Sequence, residues 1–159
     1  TIRIASGIVE DCVTTLLLEV GHSRNHYYCS AEGMAELVSK LRPNIGICID
    51  IGHLWASGVP INSAEQANEW IRQSHIGDIP RRRLLFHFND SVSLFNSGKD
   101  KHAELMRGLI WRGRTAKNSG LGSFAKFAKT HNIPVILERK PKSLLENDYR
   151  VLDDVFRSR

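Results

Sequence analysis

The chain has 159 residues, 42% hydrophobic and 25% charged, enough apolar material for one packed domain and too much for a disordered or collagen-like chain. Its formal net charge of +5 suits an acidic partner such as nucleic acid without identifying one. No run approaches the roughly 18 to 20 apolar residues of a membrane span, Thr1 opens neither a signal nor a transit peptide, and Cys12, Cys29 and Cys48 form no C-x-x-C pair.

The expectation is therefore one soluble unit over residues 1–159, in a reducing intracellular compartment, cytoplasm or nucleus, with no membrane partner.

In chain order, the opening stretch from Ile2 to Thr14 has a helical pattern. Leu16-Leu17-Leu18-Glu19-Val20 is the first of four continuous apolar runs, the pattern of strands covered on both faces. Met34, Leu37, Val38 and Leu41 then recur at i, i+3, i+4 and i+7 and predict a helix. The second strand is Ile45 to Asp50, followed by a strand-to-loop corner, and the capping box Ser63-Ala64-Glu65-Gln66 announces a helix around Ala64 to Gln73.

Arg81-Arg82-Arg83 reads as a solvated loop before the third strand, Leu84 to Phe88. A Gly-rich crossover ends in Leu121, Phe124, Ala125 and Ala128 at helical spacing, the fourth strand is Ile133 to Glu138, and a last helix carries Leu152, Val155 and Phe156. Strand and helix alternate, as in an α/β parallel sheet or barrel.

Each strand finishes, or nearly finishes, with a residue a buried run does not tolerate without cause: Glu19, Asp50, His87 and Glu138. Taken singly, such a residue is more often a helix N-cap or a loop hydrogen bonder. In parallel architectures, however, the carboxyl ends of strands form one basin, and four ionisable ends in succession point to a site there.

Asp50-Ile51-Gly52-His53 sets a carboxylate and an imidazole three residues apart. Asp100-Lys101-His102 sets another such pair at i, i+2, where an extended segment points both side chains the same way. Imidazole with carboxylate is the ligand vocabulary of zinc. His22, His26, His75 and His131 have no carboxylate in comparable register and read as ordinary surface or capping residues, although His22 and His26 follow closely on Glu19.

At Gly46 to His53, Phe86 to Ser91 and Ser97 to His102, with Leu18-Glu19 before them and Ile136-Leu137-Glu138 after, the chain resembles the endonuclease IV family of apurinic/apyrimidinic endonucleases. The stretch Arg107-Gly108-Leu109-Ile110-Trp111 looks like the branch found in large DNA viruses. The resemblance implies a (β/α)8 TIM barrel holding three zinc ions, of which this chain supports about two. It makes Glu19 a bridging carboxylate, Asp50, His87 and Glu138 the rest of one zinc site, and His53, Asp100 and His102 another.

Glu19 and Glu138 take the catalytic roles in that reading, and Lys101 contacts DNA in place of the family's arginine, keeping the charge but losing the planar fork. The implied reaction is hydrolysis of the phosphodiester 5′ to an abasic site in double-stranded DNA, as in base excision repair.

A full barrel needs roughly 250 residues, so the chain corresponds to the last four β/α units, the C-terminal half, and a partner is expected to cover the open edges, either the N-terminal half-barrel or a second copy. The rival readings are a sugar isomerase or epimerase of the xylose-isomerase-like group and a non-catalytic half-barrel that binds DNA or a partner chain. An isomerase has no use for His53, Asp100 and His102 as a separate site.

Overall fold

The computed structural model describes residues 14–138 and 145–157. Among these, β1 (Leu16–Glu19), β2 (Ile45–Asp50), β3 (Leu84–Phe88) and β6 (Val135–Leu137) form one parallel sheet in that spatial order, and β4 (Asp90–Ser91) pairs antiparallel with β5 (His102–Ala103) in a separate ribbon. The helices are α1 (Ala31–Ser39), α2 (Ile51–Ala56), α3 (Ala64–Gln73), α4 (Gly120–His131) and α5 (Glu146–Arg157). The helix expected over Ile2 to Thr14 falls, with Cys12, outside the described residues, apart from Thr14 in a bend.

Strand alternation divides the sheet into two faces. Ile47 and Ile49 of β2 and Phe86 and Phe88 of β3 belong to the main core, where Phe86 packs 5.8 Å from Phe124 of α4, and Phe124 in turn lies 5.9 Å from Trp70 of α3. The opposite parity carries Glu19, Cys48, Asp50, His87, Ile136 and Glu138. Register makes the alignment strict: Glu19 lies beside Cys48, Asp50 beside His87, and His87 beside Ile136. A slip of one residue in any strand would turn its ionisable end into the helical core.

The predicted boundaries of β2, β3 and α3 coincide with the structure, and the box at Ser63 forms, with Ser63 Oγ accepting from Gln66 N and Gln66 Oε1 accepting from Ser63 N. The corner after Asp50 is a helix rather than a loop. It spans only six residues, too few for an apolar period to show, and is started by Asp50, whose carboxylate accepts from His53 N at 3.0 Å. The arginine triplet is a 3₁₀ turn in which Arg83 donates to the Ile45 and Arg42 carbonyls, so one of the three braces the start of β2.

Beyond β3 the chain is organised by one buried carboxylate. Asp90 is fully buried and accepts from Ser91 N at 2.7 Å, Gly108 N at 3.0 Å and Ile110 N at 3.0 Å. Burial raises its pKa, against the pull of those amides. A side chain at Gly108 would stand 2.3 Å from Asp90 Oδ1, so the approach requires glycine. The same contacts seat Trp111 without exposure and hold the segment after β5 against β4, which itself pairs with β5.

Asp90→Ala strands these amides in the interior at on the order of 1–3 kcal/mol for each left unpaired. Urea unfolding should show a markedly lower midpoint with the slope retained; an unchanged midpoint would refute this role.

Candidate metal centre

The four strand ends meet. Glu19, Asp50, His87 and Glu138 offer donor atoms that all lie within 4.8 Å of one another. His87 Nδ1 is the hub, 2.6 Å from Glu138 Oε2, 3.0 Å from Glu19 Oε1 and 3.7 Å from Asp50 Oδ2. Asp50 is buried, while Glu19 and Glu138 have side chains 43% and 49% exposed and open the cluster to solvent.

Although three carboxylates surround it, His87 Nδ1 is buried without a hydrogen bond of acceptable geometry. The oxygens converge on the ring nitrogen from several directions, and one N–H can satisfy only one of them. Three carboxylates against one imidazole leave an excess of negative charge that a divalent cation neutralises. The donor set, one nitrogen and three oxygens, fits such an ion.

Asp50 is held from two sides. Its Oδ1 caps α2, and its Oδ2 accepts from Asn89 Nδ2 at 2.7 Å. The capping role and the convergence at the strand ends are both realised in this one side chain. A Cβ on Gly52 would meet Asn89 Oδ1 at 2.4 Å, so the first turn of α2 must be slim for Asn89 to reach Asp50.

The second cluster lies along α2 and the β4–β5 loop. His53 Nδ1 makes a 2.7 Å contact with the Val20 carbonyl, which requires the proton on Nδ1, so Nε2, 3.5 Å from Asp100 Oδ2, is the nitrogen that takes up the second proton or, once deprotonated, faces a metal. His102 Nε2 lies 3.0 Å from the other oxygen, Asp100 Oδ1, and 3.4 Å from Asn89 Nδ2. The i, i+2 expectation for Asp100 and His102 thus describes the observed pair, and Lys101 between them is exposed.

One residue read as ordinary stands here too. His22, His53 and Asp100 offer donor atoms within 4.8 Å of one another. No local pattern marks His22; a histidine three residues beyond the first strand end was the only available signal. Elsewhere, His75 contacts Asp78 on the surface, and His131 packs on Phe127 at 4.2 Å, in keeping with ordinary roles. Cys29 and Cys48 are buried free thiols, and burial pushes the Cys29 thiol up to about 11.

Electrostatics follow the geometry. The Asp50 carboxylate first, then Cys48 and Glu138 beside the ring, outweigh burial and raise His87 to about 11. Burial pushes His53 down, but Asp100, Asp50 and the Val20 carbonyl outweigh it and raise the imidazole to about 9. Asp100 raises His102, and His102 with His53 holds Asp100 well below the usual carboxylate range. Without metal, protonated imidazoles take the cation's place.

The fold has known counterparts. Residues 2–118 match the model of a family described as a xylose isomerase-like TIM barrel. The chain belongs to that family. The protein named "Probable AP endonuclease" in African swine fever virus (isolate Tick/Malawi/Lil 20-1/1983) is 36% identical over 141 residues, covering 82% of this chain and 48% of its own length. One named "Probable endonuclease 4" in Mesomycoplasma hyopneumoniae (strain J / ATCC 25934 / NCTC 10110) is 33% identical over 131 residues, covering 77% and 42%.

The crystal structure of AsfvAP:AG superposes with a TM-score of 0.84 at 30% identity, covering 97% of this chain and 58% of that one. The chain spans about half the length of the curated relatives it matches, and its parallel sheet with flanking helices is that part of a TIM barrel. Among the described residues no helix is long and apolar enough to cross a membrane.

The raised imidazole pKa values predict opposite pH responses with and without metal. A pKa raised from 6.5 to about 9 at His53 stabilises the metal-free fold fully below pH 6.5, and that contribution is lost as pH rises through about 9, with His87 following near 11. Metal-free protein should therefore lose melting temperature from pH 6.5 to 9. Affinity for an added divalent ion, which requires deprotonated rings, should rise over the same range. A melting temperature that climbs with pH in chelator would contradict the assigned contacts.

Proposed function

We propose that this chain forms the metal-binding half of a zinc-dependent apurinic/apyrimidinic endonuclease, which hydrolyses the DNA phosphodiester 5′ to an abasic site in base excision repair. The observation that carries the reading is the convergence of Glu19, Asp50, His87 and Glu138 on one point, beside a second cluster at His53, Asp100 and His102. The relatives' names support the same activity.

In this reading Glu19, as a carboxylate shared between two ions, would hold one zinc with Asp50, His87 and Glu138, and His53, Asp100 and His102 would hold another, so that about two of three ions would rest on this chain. When bound, the ions supply Lewis acidity that neutralises the phosphate and acidifies water. The half-exposed Glu19 and Glu138 orient the attacking water and accept its proton. Water oxygen bonds to phosphorus as the P–O3′ bond breaks, and the leaving oxygen is protonated to a 3′-hydroxyl opposite a 5′-deoxyribose phosphate. Exposed Lys101 faces the DNA backbone as a point charge.

An abasic nucleotide is already unstacked, so drawing its sugar into the basin costs less than flipping a paired base. Double-stranded DNA carrying such sites is the partner, inside the cell, in cytoplasm or nucleus. The other partner is the polypeptide that closes the sheet at β1 and β6, an N-terminal half-barrel or a second copy. Each of these strands pairs on one side only among the described residues, and Ile136 is 47% exposed.

The separate cluster at His53, Asp100 and His102 disfavours the isomerase reading, which requires a single metal basin. Elemental mass spectrometry should find about two zinc ions per chain, and Asp100→Ala or His102→Ala should lower abasic-site incision by the assembled enzyme at least about a hundredfold. Retained incision would remove the second cluster from the mechanism, and turnover of a free sugar without DNA would favour the isomerase.

A further inference from the structure

We infer that His22 is a further metal donor at the second cluster, meeting His53 and Asp100 at one point. The inference rests on the metal reading proposed above and assigns a residue that the family motifs leave out.

The first argument is placement. The His22 and His53 rings lie 4.7 Å apart between centroids and tilted by 53°, so they do not stack, and a nitrogen of each can face a shared point near Asp100. His53 Nδ1 is engaged by the Val20 carbonyl, two residues before His22, so the backbone that sets the tautomer of one imidazole also delivers the other. His102 occupies the remaining carboxylate oxygen of Asp100. Two imidazoles and one carboxylate thus meet at one point, and both residue types are donors that zinc takes.

The second argument is that the loop carrying His22 is built to stay. Cys29 Sγ donates to the Gly21 carbonyl, and Ser23 N donates to Ser57 Oγ at the end of α2. Asn25 and Asn96 clasp each other across the gap, with Asn25 N donating to Asn96 Oδ1 at 3.2 Å and Asn96 Nδ2 donating to Asn25 Oδ1 at 3.0 Å. Both asparagines sit in the left-handed region, at φ 52° and 54°. Asn96 lies on the segment that leads to Asp100, so the clasp locks the loop of His22 to the loop of Asp100. Gly98, at φ 65°, lets that segment approach Arg24 N.

His22 is exposed at the rim, so its removal deletes a donor without opening the core.

The test is zinc affinity by competition with a chromophoric chelator, and the visible spectrum after cobalt substitution, on the full chain with His22→Ala and Asp100→Ala. His22→Ala should weaken one ion by roughly tenfold or more, the scale already seen for residues that only support a ligand. It should also change the cobalt bands, with the other ion and the circular dichroism unaltered. If Asp100→Ala loses one ion while His22→Ala matches the parent in affinity and spectrum, His22 is not a donor. If Asp100→Ala also keeps both ions, the second cluster of the proposed function fails and His22 with it.

Discussion

Three carboxylates at the ends of neighbouring strands repel one another, and the structure depends on how that repulsion is met. Glu19, Asp50 and Glu138 close on His87 because a parallel sheet in strict register brings the ends of β1, β2, β3 and β6 together. An imidazolium balances part of the charge, and a divalent cation would balance more. The apolar strand bodies, sealed on the helical side by Phe86, Phe124 and Trp70, provide the rigidity that keeps like charges in place.

Rigid support continues around the centre. Asp50 is fixed by its own helix cap and by Asn89, which also lies within reach of His102, so one amide connects the two clusters. Asp90, the next residue, draws the chain back through Gly108 and Ile110 and so places β5 and His102. Carboxylates separated by forty positions thus do different work: one faces the basin, the other holds amides in the core.

Strand β2 was legible because burial on both faces leaves an unmistakable run of apolar residues, Ile45 to Ile49, whereas β1, β3 and β6 have the same kind of run but are only partly covered on the face that carries the ionisable ends. Helix α3 was legible through Ser63 and Gln66, whose chemistry is local. Helix α2 was not, since six residues containing Gly52 carry no period and its start depends on Asp50, which strand pattern had already claimed. Arg83 was hidden inside a charge run whose other members face solvent.

By itself the sequence determined the alternation of strand and helix and the ionisable strand ends, because both follow from residue type at spacings of a few positions. Only the tertiary structure decided that Asp50 caps and converges at once, that Asp90 is a buried amide acceptor, and that His22 stands beside His53 and Asp100. The reason is distance along the chain. The loop of His22 is set by a clasp between residues 71 positions apart, and such a contact exists only once the sheet has brought its loops to one end.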